Sequence, residues 1–588
     1  MRRSRMFALP GVLALAAATA LSATASATPA KSASPFKTST SAVSAAESAS
    51  GYIVLAKEGA AAQAVADRLT AAGATVSSVN TDIGMIAVSQ APSDFLATAR
   101  GLEGVHAAAT NGIVGRSPKA SKPNADVLNE AKIAAKKGEV NPRSAAAKKG
   151  KKGASDPLDS YLWGMDMMNV PAAHKIEMGD KRVKVGVMDT GVDGTHPDLA
   201  ANFDTKLSRN FTTDMVDVDG DCEYDGCVDP ANVDDNGHGT HVAGTMAAAM
   251  NGMGVSGVAP EVGIVNVRAG QDSGYFFLDA TANALTYSGD VGLDVVNMSF
   301  YVDPWAYNCA GGAPEDTPEQ AAEQDMIIET MKRALNYAHD KGVTLVGALG
   351  NNFEDLSNPR PDSSSPDYPV DNEHDRTIDN ANCWDLPVEG PHVLGVSAVG
   401  PTGKKADYSN YATDLTSGEL EISAPGGWFR DGFGTDTFRT NENLILSTAP
   451  MHVLQEEGSV DEAGDITEQG EALGVMKECT SKPAKGAVAC GYYQFLQGTS
   501  MASPHAAGVA ALAVSAHGKV NGKAGFGLAP DTVKSLLMST ATKTACPAAV
   551  ITYQQEGRPS VFNARCVGTA DFNSIYGAGI ANALGVVQ

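Results

Sequence analysis

Three short segments of the chain carry the residue types that nucleophilic catalysis needs. Asp189-Thr190-Gly191-Val192-Asp193 follows an apolar run at 183–188, which places Asp189 at the C-terminal end of an expected parallel strand. In Asn236-Gly237-His238-Gly239-Thr240-His241, His238 opens a small-residue helix, and its flanking glycines leave the ring accessible and let other segments approach closely. Gly498-Thr499-Ser500-Met501-Ala502-Ser503-Pro504-His505 runs into an apolar helix expected at 506–516. Ser500 then sits at or near a helix N-terminus, where free N–H groups and the helix dipole favour an oxyanion. Pro504 fits a first helical turn, where its missing donor matters least.

Each segment has an ordinary structural role open to it: a capping Asp, a packed His, a Ser N-cap. A metal site using His238 and His241 lacks a nearby third ligand. Taken together the three describe one chemistry. Serine attacks only when a base takes its proton, histidine titrates in the right range, and a carboxylate fixes its tautomer and stabilises the imidazolium. The order Asp, His, Ser differs from the Ser-first order of the α/β-hydrolases, and no G-x-S-x-G elbow surrounds Ser500.

Nearly continuous apolar runs at 183–188, 262–267, 295–298, 343–348 and 393–399 must hold these groups in place. Helical patterns fall between them at 241–250, 278–288 and 321–341. Apolar strands alternating with helices predict an α/β fold, a mostly parallel sheet covered on both faces. The polar stretches 212–236, 302–320, 352–390 and 428–495 read as surface insertions.

The chain has 588 residues, 43% of them hydrophobic and 19% charged, enough for more than one packed unit. Its net charge of −24 argues against a nucleic-acid partner. The charge is split: residues 1–153 hold 19 Lys/Arg against 9 Asp/Glu, whereas the remainder holds 25 against 59. Residues 1–27 have the basic start, apolar centre and A-x-A end of a signal peptide, so an exported chain without a membrane anchor is expected. Within 28–153, residues 51–116 read as a small α/β unit, with strands at 52–55 and 84–88 and helices at 60–72 and 93–102. A Lys-rich linker follows it, and a large domain occupies 154–588. The eight cysteines all lie in that domain, and in an oxidising compartment they should pair. Many pairings are open; Cys222–Cys227, Cys479–Cys490 and Cys546–Cys566 are near in sequence and would leave Cys309–Cys383. Asp214, Asp217, Asp219, Asp221, Asp225 and Asp229 crowd one insertion and could bind Ca²⁺, although Cys222 stands where an EF-hand needs glycine.

From about Asp156 onward the chain resembles the subtilisin-like serine proteases. The resemblance rests on the Asp189 segment with His196-Pro197-Asp198-Leu199, on Gly237–Gly244, on Asp294-Val295-Val296-Asn297-Met298-Ser299, and on Gly498–His505. It implies a secreted endopeptidase acting on protein or peptide substrates through an acyl-enzyme. Asp189, His238 and Ser500 would form the triad, and no cofactor would be required for the chemistry. It also implies that 28–153 is an inhibitory, self-removed propeptide; a monomer is expected. Gly347-Ala348-Leu349-Gly350-Asn351 matches the family strand that ends at the oxyanion-hole side chain, which makes Asn351 the fourth site residue; spacing alone does not separate it from Asn352. After Ser299 the family continues with Leu and glycines along one wall of the S1 pocket. Here Phe300-Tyr301-Val302 follow, so the family's usual taste for large apolar P1 residues is not carried over. A catalytically silent subtilisin-like binding module is the competing reading.

Overall fold

Alternation of apolar residues on both sides of a strand leaves it no solvent face, and this chain uses that rule in two places. In the computed structural model, residues 51–111, 155–358, 360–369, 372–480, 489–520 and 525–588 are described. The expected signal segment 1–27 and the linker to residue 153 lie outside them.

The first part is a four-stranded antiparallel sheet with two helices: β1 (Tyr52–Ala56), α1 (Ala62–Ala71), β2 (Thr75–Asn80), β3 (Met85–Gln90), α2 (Phe95–Gly101) and β4 (Val105–Thr110), in the order β2-β3-β1-β4. Val54, Ala56, Ile86 and Val88 face the two helices. Ile53, Leu55, Met85 and Ala87 face the other way, into a core shared with the large domain. Sequence analysis missed β2 and β4.

The large domain is built on β5 (Lys184–Met188), β6 (Arg209–Asn210), β7 (Gly263–Arg268), β8 (Val295–Met298), β9 (Thr344–Ala348), β10 (Val393–Val399) and β11 (Ile422–Pro425). They form one sheet in the order β11-β10-β9-β8-β5-β7-β6, parallel throughout. Val185, Val187, Ile264, Val295 and Val346 point into one core, and Met188, Val265, Val267, Val296, Met298 and Leu345 into the other. The first core holds α3 (His238–Ala247) and α6 (Thr499–His517), and the second α4 (Leu278–Asp290) and α5 (Pro318–Asp340). All ten residues of α3 are buried, so its small side chains serve close packing and not an amphipathic surface.

The expected surface insertions are all partly interior: in 352–390 Leu356, Tyr368 and Ile378 are buried, and in 212–236 Asp229 and Asp234. Trp305 and Tyr307 in 302–320 are buried, as is Trp428 at the start of 428–495. The latter stretch contributes an antiparallel three-stranded sheet made of Ile445–Ala449, Met476–Cys479 and Cys490–Leu496. Its strands are short and mix apolar residues with Ser, Thr, Lys, Glu and Gln, which hid them among loop residues. The cysteines pair as Cys222–Cys227, Cys309–Cys383, Cys479–Cys490 and Cys546–Cys566, with none left free. Among the described residues, no helix is long and apolar enough to cross a membrane.

Candidate active site

Sheet order reverses direction around β5, and ligands of open α/β sheets bind outside the strand ends at such a point. Asp189 directly follows β5, Ser299 follows β8, and Asn351 lies three residues past β9. His238 is the first residue of α3 and Ser500 the second of α6. Strand ends and helix starts thus converge on a cleft of about 640 Å³ lined by His238, Ser299, Asn351, Thr499 and Ser500 among others.

Asp189 is fully buried behind His238. Its Oδ1 accepts from His238 Nδ1 at 2.7 Å and from the Thr190 N–H at 2.8 Å. This bond assigns the Nδ1 proton and leaves Nε2 as the basic atom. Burial alone would depress the imidazole; the Asp189 charge and hydrogen bond, helped by Asp234, outweigh it and raise the His238 pKa. Gly239 allows the approach: a Cβ there would lie 2.1 Å from the Gly191 carbonyl oxygen and 3.0 Å from Asp189 Cβ. Asp234, not noticed in the sequence, anchors the start of α3. Its carboxylate accepts from the Gly237 and Thr240 N–H groups and from the Thr190 and Thr240 hydroxyls. The clue was an Asp shortly before the start of the helix, a side chain whose oxygens accept from free N–H groups there.

His241 is placed away from any metal role. Its Nε2 meets the carbonyls of Ile445 (3.1 Å) and Gln494 (3.2 Å), and burial with the nearby His238 pushes its pKa down to about 3. It fastens α3 to the sheet that the insertion supplies.

Helix α6 begins at Thr499, seven residues before the expected start, so Pro504 is inside the helix and not in its first turn. Proline has no N–H to give the carbonyl four residues back. That carbonyl belongs to Ser500, and the Ser299 hydroxyl donates to it at 3.1 Å. The Ser500 hydroxyl in turn donates to the Ser299 carbonyl at 3.3 Å, while Asn297 Nδ2 and Ser503 Oγ hold Ser299 Oγ at 2.8 Å. Ser299 therefore registers the β8 end against the helix start.

Asn351 and Asn352 both line the cleft, but their anchoring differs. Asn351 Oδ1 accepts from the Thr499 N–H and hydroxyl, each at 2.9 Å, which fixes the amide and leaves its NH₂ as donor. Asn352 is held through its backbone N–H by Asn410 Oδ1. The Ser500 N–H, in the first helical turn, has no intrahelical acceptor.

Phe300 lines the cleft. It stacks on Phe276 at 4.0 Å between centroids, and Tyr301 donates to Asp367 Oδ2 at 2.5 Å.

The EF-hand-like run Asp217-x-Asp219-x-Asp221 does not converge. Asp219 is used up on the Met215 and Ser273 N–H groups. The carboxylates that do meet are Asp214, Glu223 and Asp272, and Asp229, Asp235 and Asp272, with candidate oxygens within 4.8 Å of one another. Asp272 comes from outside the insertion. Arg268 lies among them, bonded to Asp229 and Asp272 at 2.5 Å.

A family model, Subtilase family (Peptidase_S8), matches residues 180–579. Fervidolysin of Fervidobacterium pennivorans is 28% identical over 366 residues, 61% of this chain and 38% of fervidolysin. Thermitase of Thermoactinomyces vulgaris is 28% identical over 296 residues, half of this chain and 81% of thermitase. The crystal structure of the epidermin leader peptide processing serine protease EpiP from Staphylococcus aureus aligns over 91% of this chain and 97% of its own, with a TM-score of 0.57 at 19% identity, a likeness of fold. With more than half of its length matched by the family model, and with the parallel sheet described above, the chain belongs to the subtilase family of serine endopeptidases.

Proposed function

We propose that the chain is a secreted endopeptidase that cleaves peptide bonds through Asp189, His238 and Ser500. The observation that carries this is the 2.7 Å Asp189–His238 bond behind a cleft that also holds Ser500 at a helix start and the anchored amide of Asn351. In this reading the Ser500 hydroxyl turns from the Ser299 carbonyl to His238 Nε2, loses its proton there and attacks the substrate carbonyl. The Asn351 amide and the Ser500 N–H donate to the oxyanion. The imidazolium, held by Asp189, gives its proton to the leaving amine, and water then hydrolyses the acyl-enzyme by the same relay.

The small domain is read as an inhibitory propeptide removed by the enzyme itself. It docks through α4 and α5: Arg333 Nη1 donates to the Ala56 and Ile83 carbonyls, and Asn80 Nδ2 reaches Asn283 and Thr286. Its last described residues, Thr110 and Asn111, share a crevice with Phe277 and Leu278, next to the cleft residue Phe276. A monomer fits this reading. A structural Ca²⁺ is part of the proposal too. Asp214 Oδ1 and Oδ2, Asp229 Oδ1 and Asp235 Oδ2 are buried without hydrogen bonds, a hard-oxygen donor set around which Arg268, 3.9 Å from Asp214 Oδ1, and His452, 2.8 Å from Asp235 Oδ1, are fewer than the carboxylates. Those residues would hold the ion away from the chemistry.

The resting bond of Ser500 to Ser299 is what a silent binding module would also show. A fluorophosphonate probe decides: the active reading expects one label per chain, on Ser500, and loss of peptide hydrolysis with labelling. Absence of both labelling and hydrolysis in the processed protein would favour the silent module.

A further inference from the structure

The cleft also holds acidic groups that the chemistry does not use. Asp303, Asp367, Glu373 and Asp385 line it together with Tyr301 and Tyr307, and among the described residues no Lys or Arg lines it. Asp385 is the informative one. It is 6% exposed, and its Oδ1 is buried without a partner. The guanidinium nearest in effect, Arg360, is engaged by other carboxylates, with Nε 2.8 Å from Glu354 and Nη2 3.9 Å from Glu389. One cation thus stands against three acids. Burial and the charge of Glu354, against the attraction of Arg360, push the Asp385 pKa up to about 8. Burial and then repulsion from Asp367 push Asp303 up as well.

The position of Asp385 is fixed by structure. It directly follows the short strand Cys383–Trp384, which pairs with Asn308–Cys309 and is tied to it by the Cys309–Cys383 disulfide. It also lies beside the site's own wall. A Cβ on Gly350 would fall 3.2 Å from Asp385 Oδ2, which places that oxygen against the chain one residue before Asn351. A substrate carbonyl held between Ser500 and Asn351 would have Ser299, Phe300, Tyr301, Ala348 and Gly350, at the β8 and β9 ends, around the side chain of its own residue, since all of them line one cleft. Asp385 lines the same cleft, with Oδ2 beside Gly350. A buried, unpaired carboxylate is costly, and a cation brought to it with hydrogen bonds relieves the cost.

We infer that this pocket selects a basic residue, Arg or Lys, on the acyl side of the cleaved bond, with Asp385 as the residue that sets the preference. The inference rests on the endopeptidase reading above.

The test compares internally quenched peptides, identical except for Arg, citrulline, Phe or Glu at that residue, with the enzyme purified from the full chain. Citrulline keeps the shape of Arg and removes its charge. The expected result is a kcat/KM for Arg at least ~10²-fold above citrulline and Phe, with Glu lowest. Asp385→Asn should cut the Arg-to-citrulline ratio by tenfold or more. Because that variant alters a buried group, benzamidine against benzamide supplies a measurement on the unaltered protein. Competitive inhibition by the amidine at concentrations where the amide has no effect is expected. Equal rates for Arg and citrulline, or equal inhibition by amidine and amide, would overturn the inference while leaving the endopeptidase reading standing. No hydrolysis of any peptide and no labelling of Ser500 would instead remove the reading beneath it.

Discussion

The two ends of the cleft handle carboxylates in opposite ways. At one end Asp189 is buried with a partner: His238 lies 2.7 Å away and its titration is raised in consequence. At the other end Asp385 is also buried, though less completely, and keeps an oxygen without a hydrogen-bond partner. An internal partner preorganises a group before substrate arrives; a missing one reserves the group for something that comes from outside. Buried carboxylates should therefore be sorted by what stands opposite them.

Changes at the catalytic end should be the more damaging, and they grade by how directly each group meets the reacting atoms. Ser500→Ala should lose roughly 10⁶ in kcat, the size of nucleophile loss in subtilisin, and should leave the small domain attached by intact-mass measurement. Processing of that variant at the normal rate, with no other protease present, would contradict self-removal.

Asp189→Asn should cost roughly 10⁴ in kcat, since the imidazole is then held in the wrong tautomer. The same variant tests the electrostatics. The base must be neutral, so its raised pKa puts the acidic limb of the kcat/KM profile above the ordinary histidine range. Without the Asp189 charge that limb should move to lower pH. A profile that stays in place would break the contrast between the paired and the unpaired end.

Asn351→Ala should lose roughly 10²–10³ in kcat with KM nearly kept, the mark of a donor used only in the transition state. Asn352→Ala, measured beside it, should have far less effect. Thr499→Val removes one of the two donors that aim Asn351 and should cost about tenfold in kcat, roughly one hydrogen bond. Rates for Thr499→Val as low as for Asn351→Ala would mean that the hydroxyl does more than orient the amide.

Five sheet strands were legible because each is an apolar run buried on both faces, the pattern a parallel sheet demands. Strand β2 was not, since Thr75–Asn80 is a largely polar edge strand, and β4 is mostly alanine after Val105. The start of α6 was obscured by Pro504, which fits a first helical turn and so moved the expected start too far along the chain. The motif residues stood out because chemistry restricts their type. Their supports, Asp234, Ser299 and Thr499, are common residues whose roles exist only through distant partners. The acid end was the least legible. Asp303, Asp367 and Asp385 come from segments that each read as polar surface, and only the folded chain shows that they face one space.

Pro504 has an effect on exclusivity. An alanine there would restore an N–H and give the Ser500 carbonyl two suitors, its own helix and the Ser299 hydroxyl. The helix could then close its ladder and drift relative to the strand tip without losing a hydrogen bond. By deleting the nearer donor, the proline makes the cross-element bond the only one on offer. Alignment of nucleophile and strand becomes a condition of satisfying the backbone, and a misaligned site would be penalised before any substrate is bound.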